Sequence, residues 1–162
     1  MRFILIDRII EAVPGKYIRG VKHIDPGEDY FRDHFPGFPV VPGVLLTEMM
    51  AQTAGKCLDL EDLHRGKSML ARINVANFRE WVRPGETATI IANISSSQPQ
   101  YATALCRIEV GERRVASADL LFSFVPSARF GPDYRDEVLE GFLDRSRLAS
   151  PCTKPAADPT EA

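Results

Sequence analysis

The chain has 162 residues, 44% of them hydrophobic and 26% charged, with a formal net charge of −2. That length gives one domain a sizeable core and leaves little room for a second. The charge argues against nucleic acid as the main partner, because no net basic field is present to release counterions, and no apolar run is long enough to span a bilayer. The N-terminus, MRFILIDRII, is broken by Asp7 and Arg8 and offers no small-residue cleavage site, so a cytoplasmic protein without a signal peptide is expected. Cys57, Cys106 and Cys152 are odd in number and widely spaced, which fits neither a disulfide framework nor a zinc site.

In chain order, residues 3–12 and 16–25 read as two strands joined by a turn at Pro14-Gly15. The segment from Pro26 to Pro42, dense in Pro, Gly and aromatics, reads as a functional loop rather than a connector. A helix is expected from Pro42-Gly43 towards a stop at Gly66, since Pro suits the first helical turn and Gly the exit. Val44, Leu45, Leu46, Met49, Met50, Ala51 and Ala54 cover most of its circumference, the pattern of a buried helix. After Gly66, residues 69–78, 87–97, 101–110 and 115–125 alternate apolar and polar positions with period two, and short spacers favour antiparallel neighbours. The expected fold is α+β, an antiparallel sheet wrapped around one long apolar helix. Residues 1–126 form that domain; 127–148 add a short amphipathic helix carrying Val138, Leu139, Phe142 and Leu143, and 149–162 read as a disordered tail.

The chemistry concentrates in Asp33-His34-Phe35-Pro36-Gly37-Phe38-Pro39-Val40-Val41-Pro42-Gly43-Val44-Leu45-Leu46-Thr47-Glu48. It holds a histidine in a loop pinned by Pro and Gly, then a helix start, then one carboxylate in an apolar helix. Histidine changes charge near neutral pH, so this is a plausible acid/base pair. From the pattern alone Glu48 reads either as a functional carboxylate or as the solvated edge of a core helix. Gln52 lies one turn further on, on the same stripe. His23 and His64 read as surface or capping residues, and no metal set is expected.

The segment FRDHFPGFPVVPGVLLTEMMAQTAG resembles the active-site signature of the 3-hydroxyacyl-[acyl-carrier-protein] dehydratases, which have the hot-dog fold. LIDRIIEAVPGKYIRGVKHI before it and NFREWVRPGE after it also match, so the resemblance spans about residues 3–125. It implies His34 as catalytic base and Glu48 as the acid that helps the 3-hydroxyl leave; Glu rather than Asp there resembles the dehydratase-only branch. Gly43, with Val44 beside it, would present backbone N–H to the thioester carbonyl at a helix N-terminus, Phe35 would line the substrate site, and Gln52 would orient the Glu48 carboxyl. No cofactor is implied. Two positions depart from the pattern: Asp33 stands where the family has Gly, and Met49 where it has Ala.

The resemblance implies dehydration of 3-hydroxyacyl thioesters to trans-2-enoyl thioesters, in fatty acid or related acyl-chain biosynthesis. The alternatives are a hot-dog thioesterase and a non-catalytic dehydratase-like subunit. The carrier is an acyl carrier protein or coenzyme A; Arg79 and Arg83 are candidate contacts for an acidic carrier, or ordinary solvated arginines. A homodimer or trimer of dimers is expected, with His34 of one chain facing Glu48 of the other.

Overall fold

The computed structural model describes residues 3–62, 65–131 and 134–146. Six strands form one sheet: β1 (Arg8–Val13), β2 (Tyr17–His23), β3 (Lys67–Phe78), β4 (Thr87–Ser97), β5 (Tyr101–Val110) and β6 (Arg113–Val125). Their spatial order is β1-β2-β4-β5-β6-β3, and every pairing is antiparallel. The helix α1 (Gly43–Glu61) lies on the inner face, and a second helix, α2 (Glu137–Ser146), follows β6. This is the α+β wrap the alternation predicts.

Period-two burial decides which face is inner. Ala88, Ile90 and Ala92 of β4, Ala104, Cys106 and Ile108 of β5, and Ala116, Leu120 and Phe122 of β6 point onto α1, which returns Met49, Met50, Ala54 and Leu58. The hairpin turn falls where Pro14-Gly15 places it, with Gly15 at φ 67°. A Cβ there would sit 2.3 Å from the Glu61 carboxyl carbon, so space as well as φ requires glycine.

Three expectations are corrected. The first strand begins at Arg8 rather than residue 3, because the preceding segment makes other bonds: Leu5 N–H donates to Gln52 Oε1 (3.0 Å), and Asp7 Oδ2 accepts from His23 N–H (2.6 Å). Val44 is 74% exposed and not part of the core, since it lies in the first turn of α1, ahead of the turns the sheet covers. α1 also ends at Glu61 rather than near Gly66, and it buries two charged groups, Lys56 and Asp59, in its last turns. His64, Cys152 and the 149–162 tail lie outside the described residues.

Strand β3 occupies one edge of the sheet, and its outward surface is apolar: Met69, Leu70, Ile73, Val75 and Phe78 are all exposed. An unpaired edge bearing large apolar side chains is a surface that ordinarily gains a partner.

Candidate active site

A 3-10 turn over Asp29–Arg32 delivers the chain to the histidine. His34 N–H donates to Tyr30 O (2.9 Å), and Val40 N–H donates back to His34 O (3.1 Å). Between them Phe35 and Phe38 exchange backbone bonds of 3.2 and 2.9 Å, closing a tight turn around Gly37 at φ 78°. Nothing lies within 4 Å of where a Cβ would stand on Gly37, so its need for glycine is purely one of backbone angle. Asp33 sits at φ −111°, ψ −20°, a region open to any L-residue. The loop therefore does not require glycine at that position.

The loop also sets the imidazole tautomer. His34 Nδ1 lies 2.9 Å from Val40 O, and a carbonyl oxygen only accepts, so Nδ1 carries the proton. Nε2 then holds the free lone pair, as a base must. Phe35 stacks on the ring at 4.2 Å between centroids, and the imidazole is half-buried. Val41 N–H donates to Val82 O (2.8 Å), tying the loop to the β3–β4 connection.

α1 starts directly after this loop. Pro42 precedes it in extended conformation, and Leu45 and Leu46 donate to Pro42 O at 2.9 and 3.2 Å. No side chain caps the helix, so its leading N–H groups are left for another acceptor and the positive dipole end faces the loop. Gly43 has a packing role too: a Cβ would come 3.1 Å from the Phe78 ring. Glu48, one turn in, is half-exposed in the single chain. Its Oε1 accepts from Gln52 Nε2 (3.0 Å), while Gln52 is fixed from its other side by Leu5 N–H at 3.0 Å and Phe3 O at 3.3 Å. The N-terminal segment thus orients the carboxylate through Gln52. Beside Glu48 a groove of about 320 Å³ runs between α1 and β3, and His34 is not among its lining residues. Within one chain His34 and Glu48 do not share this groove.

Residues 1–119 match the FabA-like domain. The chain belongs to that family. It is 37% identical over 122 residues to the 3-hydroxyacyl-[acyl-carrier-protein] dehydratase FabZ of Desulforamulus reducens, covering 75% of this chain and 86% of the relative. It is 40% identical over 119 residues to FabZ of Wolbachia pipientis wMel, covering 73% and 83%. Among solved structures it is similar in fold to the E. coli PaaI protein (TM-score 0.60, 13% identity, 74% and 79% covered). Thioesterase HI1161 of Haemophilus influenzae is similar as well (TM-score 0.57, 16% identity, 72% and 77% covered). The fold is the hot-dog fold.

Two further features of this FabA-like domain flank the site. On the β3–β4 connection a cavity of about 360 Å³ is lined by Arg79, Glu80, Trp81, Arg83 and Arg113. Arg113 is committed to Glu80 (2.8 Å) and Glu86 (2.6 Å). The Arg83 guanidinium instead lies 5.0 Å over the Phe38 ring, which packs edge-on against the 62%-exposed Trp81. Arg83 therefore adjoins the His34 loop, and Arg79 shares its cavity.

At the opposite end of the groove stand Lys56 and Asp59, only 8% and 2% exposed. Sequence reading missed both, although Glu48, Gln52, Lys56 and Asp59 repeat at i, i+4, i+8 and i+11 along one stripe. Lys67 of β3 pairs with Asp59 and with Asp136 at the start of α2. Burial opposes both charges, yet this pairing outweighs it, holding Lys67 above and Asp136 below their ordinary values. Lys56 fares differently. Burial first, and Lys67 second, push its ammonium from 10.5 down to about 8. The unfolded chain then binds more protons between those values, so the buried ammonium costs stability below about pH 8, and the cost disappears as pH rises towards 10.5. Lys56→Met should accordingly stabilise the fold at pH 7 by on the order of 1–3 kcal/mol, with the gain shrinking at alkaline pH; denaturant titrations at several pH values check this. A loss of stability at pH 7 would show that the ammonium is structurally useful.

No helix among the described residues is long and apolar enough to cross a membrane, and no group of three or more His, Cys, Asp or Glu among them is placed to hold a metal ion.

Proposed function

We propose that this chain removes water from a 3-hydroxyacyl thioester carried on an acyl carrier protein, giving the trans-2-enoyl thioester of fatty acid or related acyl-chain biosynthesis. The observation that carries the reading is the His34 Nδ1 to Val40 carbonyl bond, which leaves Nε2 as the one ring acceptor. Nε2 takes the proton from C2, and the electrons move onto the thioester carbonyl oxygen. The leading amides of α1 at Gly43 and Val44 stabilise that oxygen, with the helix dipole adding to them. Glu48 delivers a proton to the 3-hydroxyl, the C3–O bond breaks, and water leaves as the C2–C3 double bond forms. Gln52 holds the Glu48 carboxyl for that transfer. Protonated His34 and ionised Glu48 then exchange a proton with solvent to reset.

Two copies complete the site in this reading. Pairing through β3 would cover Ile73, Val75 and Phe78 and continue the sheet, bringing the His34 loop of one chain to Glu48 of the other. A trimer of such dimers is the larger assembly that the family resemblance implies.

The purified protein should therefore convert 3-hydroxyacyl thioesters into enoyl thioesters with no added metal or nicotinamide, read as enoyl absorbance. Release of free thiol from acyl thioesters, without enoyl formation, would replace this reading with the thioesterase one. The Arg79 and Arg83 surface is the proposed carrier contact, since acyl carrier proteins are acidic. Reversing both to Glu should raise KM several-fold for a carrier-bound substrate and leave a small-thioester KM in place. Equal effects on the two substrates would remove these arginines from carrier recognition.

A further inference from the structure

The groove that begins at Glu48 does not end in the apolar wall that a saturated chain would favour. It runs along α1 past Ala51 and Gly55 and meets Lys56. Eight helical residues separate Glu48 from Lys56, a rise of about 12 Å. The Lys56 ammonium rests 4.4 Å over the Phe142 ring of α2, a residue beyond the span matched by the family. An ammonium has three hydrogens to donate, yet among the described residues nothing accepts from this one. Asp59, Asp136 and Glu48 all place negative charge near it, and the two aspartates are hydrogen-bonded elsewhere. Asp59 gives one oxygen to Lys67 and the other to Ser68 N–H (2.9 Å), and Asp136 gives one to Lys67 and the other to Leu139 N–H (3.0 Å). Lys56 is only 8% exposed, yet its nitrogen stays open to the groove it lines, so whatever fills the groove supplies its acceptor.

We propose that Lys56 binds the far end of the substrate, and that this groove takes 3-hydroxyacyl chains ending in a carboxylate in preference to chains ending in a methyl group. This rests on the dehydratase reading above and adds the substrate class to it. With the thioester at the helix N-terminus and the 3-hydroxyl at Glu48, the chain follows the small-residue floor of the groove. Its terminal carboxylate would replace groove solvent as the acceptor for Lys56. A methyl terminus of the same length would instead bury an ammonium against hydrocarbon, leaving a charge without water or partner. Discrimination thus has an attractive part and a repulsive one. The C-terminal extension takes part by supplying Phe142 beneath Lys56 and Asp136 to hold Lys67.

The test uses the full chain and small 3-hydroxyacyl thioesters of graded length, each made with a methyl or a carboxylate terminus. At the length that reaches Lys56, kcat/KM should favour the carboxylate by on the order of 10- to 100-fold, the scale of a desolvated, charge-assisted hydrogen bond. Lys56→Arg should keep the preference, and Lys56→Met should abolish or invert it. A methyl terminus equal or better at every length overturns the proposal and makes Lys56 a solvated ammonium only. So does a preference that survives in Lys56→Met. Should neither variant fold, the preference of the wild-type protein still decides. The 3-hydroxybutyryl thioester is too short to reach Lys56 and separates the two levels. No enoyl product from it sinks the dehydratase reading itself, whereas turnover of it without terminal discrimination sinks only this proposal.

Discussion

His34→Ala should lower kcat by a factor on the order of 10² or more, the usual scale for loss of a general base, while the protein stays folded. The fold should persist because the loop is held mainly by its backbone. Tyr30 O, Val40 N–H and Val82 O keep their bonds to residues 34, 34 and 41 whatever the side chain at 34. The Nδ1 bond to Val40 O and the stack on Phe35 are lost, the first leaving one carbonyl to water at a cost of about 1 kcal/mol. Circular dichroism and a thermal melt check the fold, and initial rates of enoyl formation check the chemistry. A variant within a few-fold of wild type would take His34 out of the mechanism.

Glu48→Gln should be almost as damaging, again on the order of 10² in kcat, for a different reason. The substituted amide keeps a carbonyl oxygen that can accept from Gln52 Nε2, so the geometry set through Gln52, Leu5 and Phe3 is retained. What disappears is a proton to give to the departing hydroxyl. The loss should therefore fall on kcat with little change in KM, the signature of an interaction made only in the transition state. A variant that raised KM with kcat intact would make Glu48 a binding residue.

Much of this architecture could be read from residue spacing, and the exceptions share a cause. Strands β4 and β5 fall at 87–97 and 101–110 as the alternation places them, because a sheet packed on one side writes its pleat directly into the chain. The start of α1 at Gly43 was legible for the same local reason, Pro and Gly having few alternatives there. The helix pattern alone could not show that Lys56 and Asp59 are buried. Asp59 is paired with Lys67 and Lys56 lies over Phe142, residues distant in sequence, and a polar residue on an apolar helix looks the same with or without such neighbours. The start of α2 was a missed local signal: Asp136 caps it through Leu139 N–H, and aspartate is a favoured residue at that position. At the candidate site, His34, Gly43, Glu48 and Gln52 were each identifiable in sequence. The separation of His34 from the Glu48 groove was expected only through the family resemblance, since residue spacing alone does not tell how loop, helix and edge strand sit in three dimensions.

That separation makes subunit mixing the most direct measurement. His34→Ala and Glu48→Gln homodimers, each nearly inactive, are differently tagged, unfolded together and refolded. If His34 of one chain works with Glu48 of the other, every hybrid holds one doubly substituted site and one intact site. With random pairing about half the dimers are hybrid, so activity near a quarter of wild type is predicted. Hybrids recovered on both tags with no return of enoyl formation would contradict a site shared between chains.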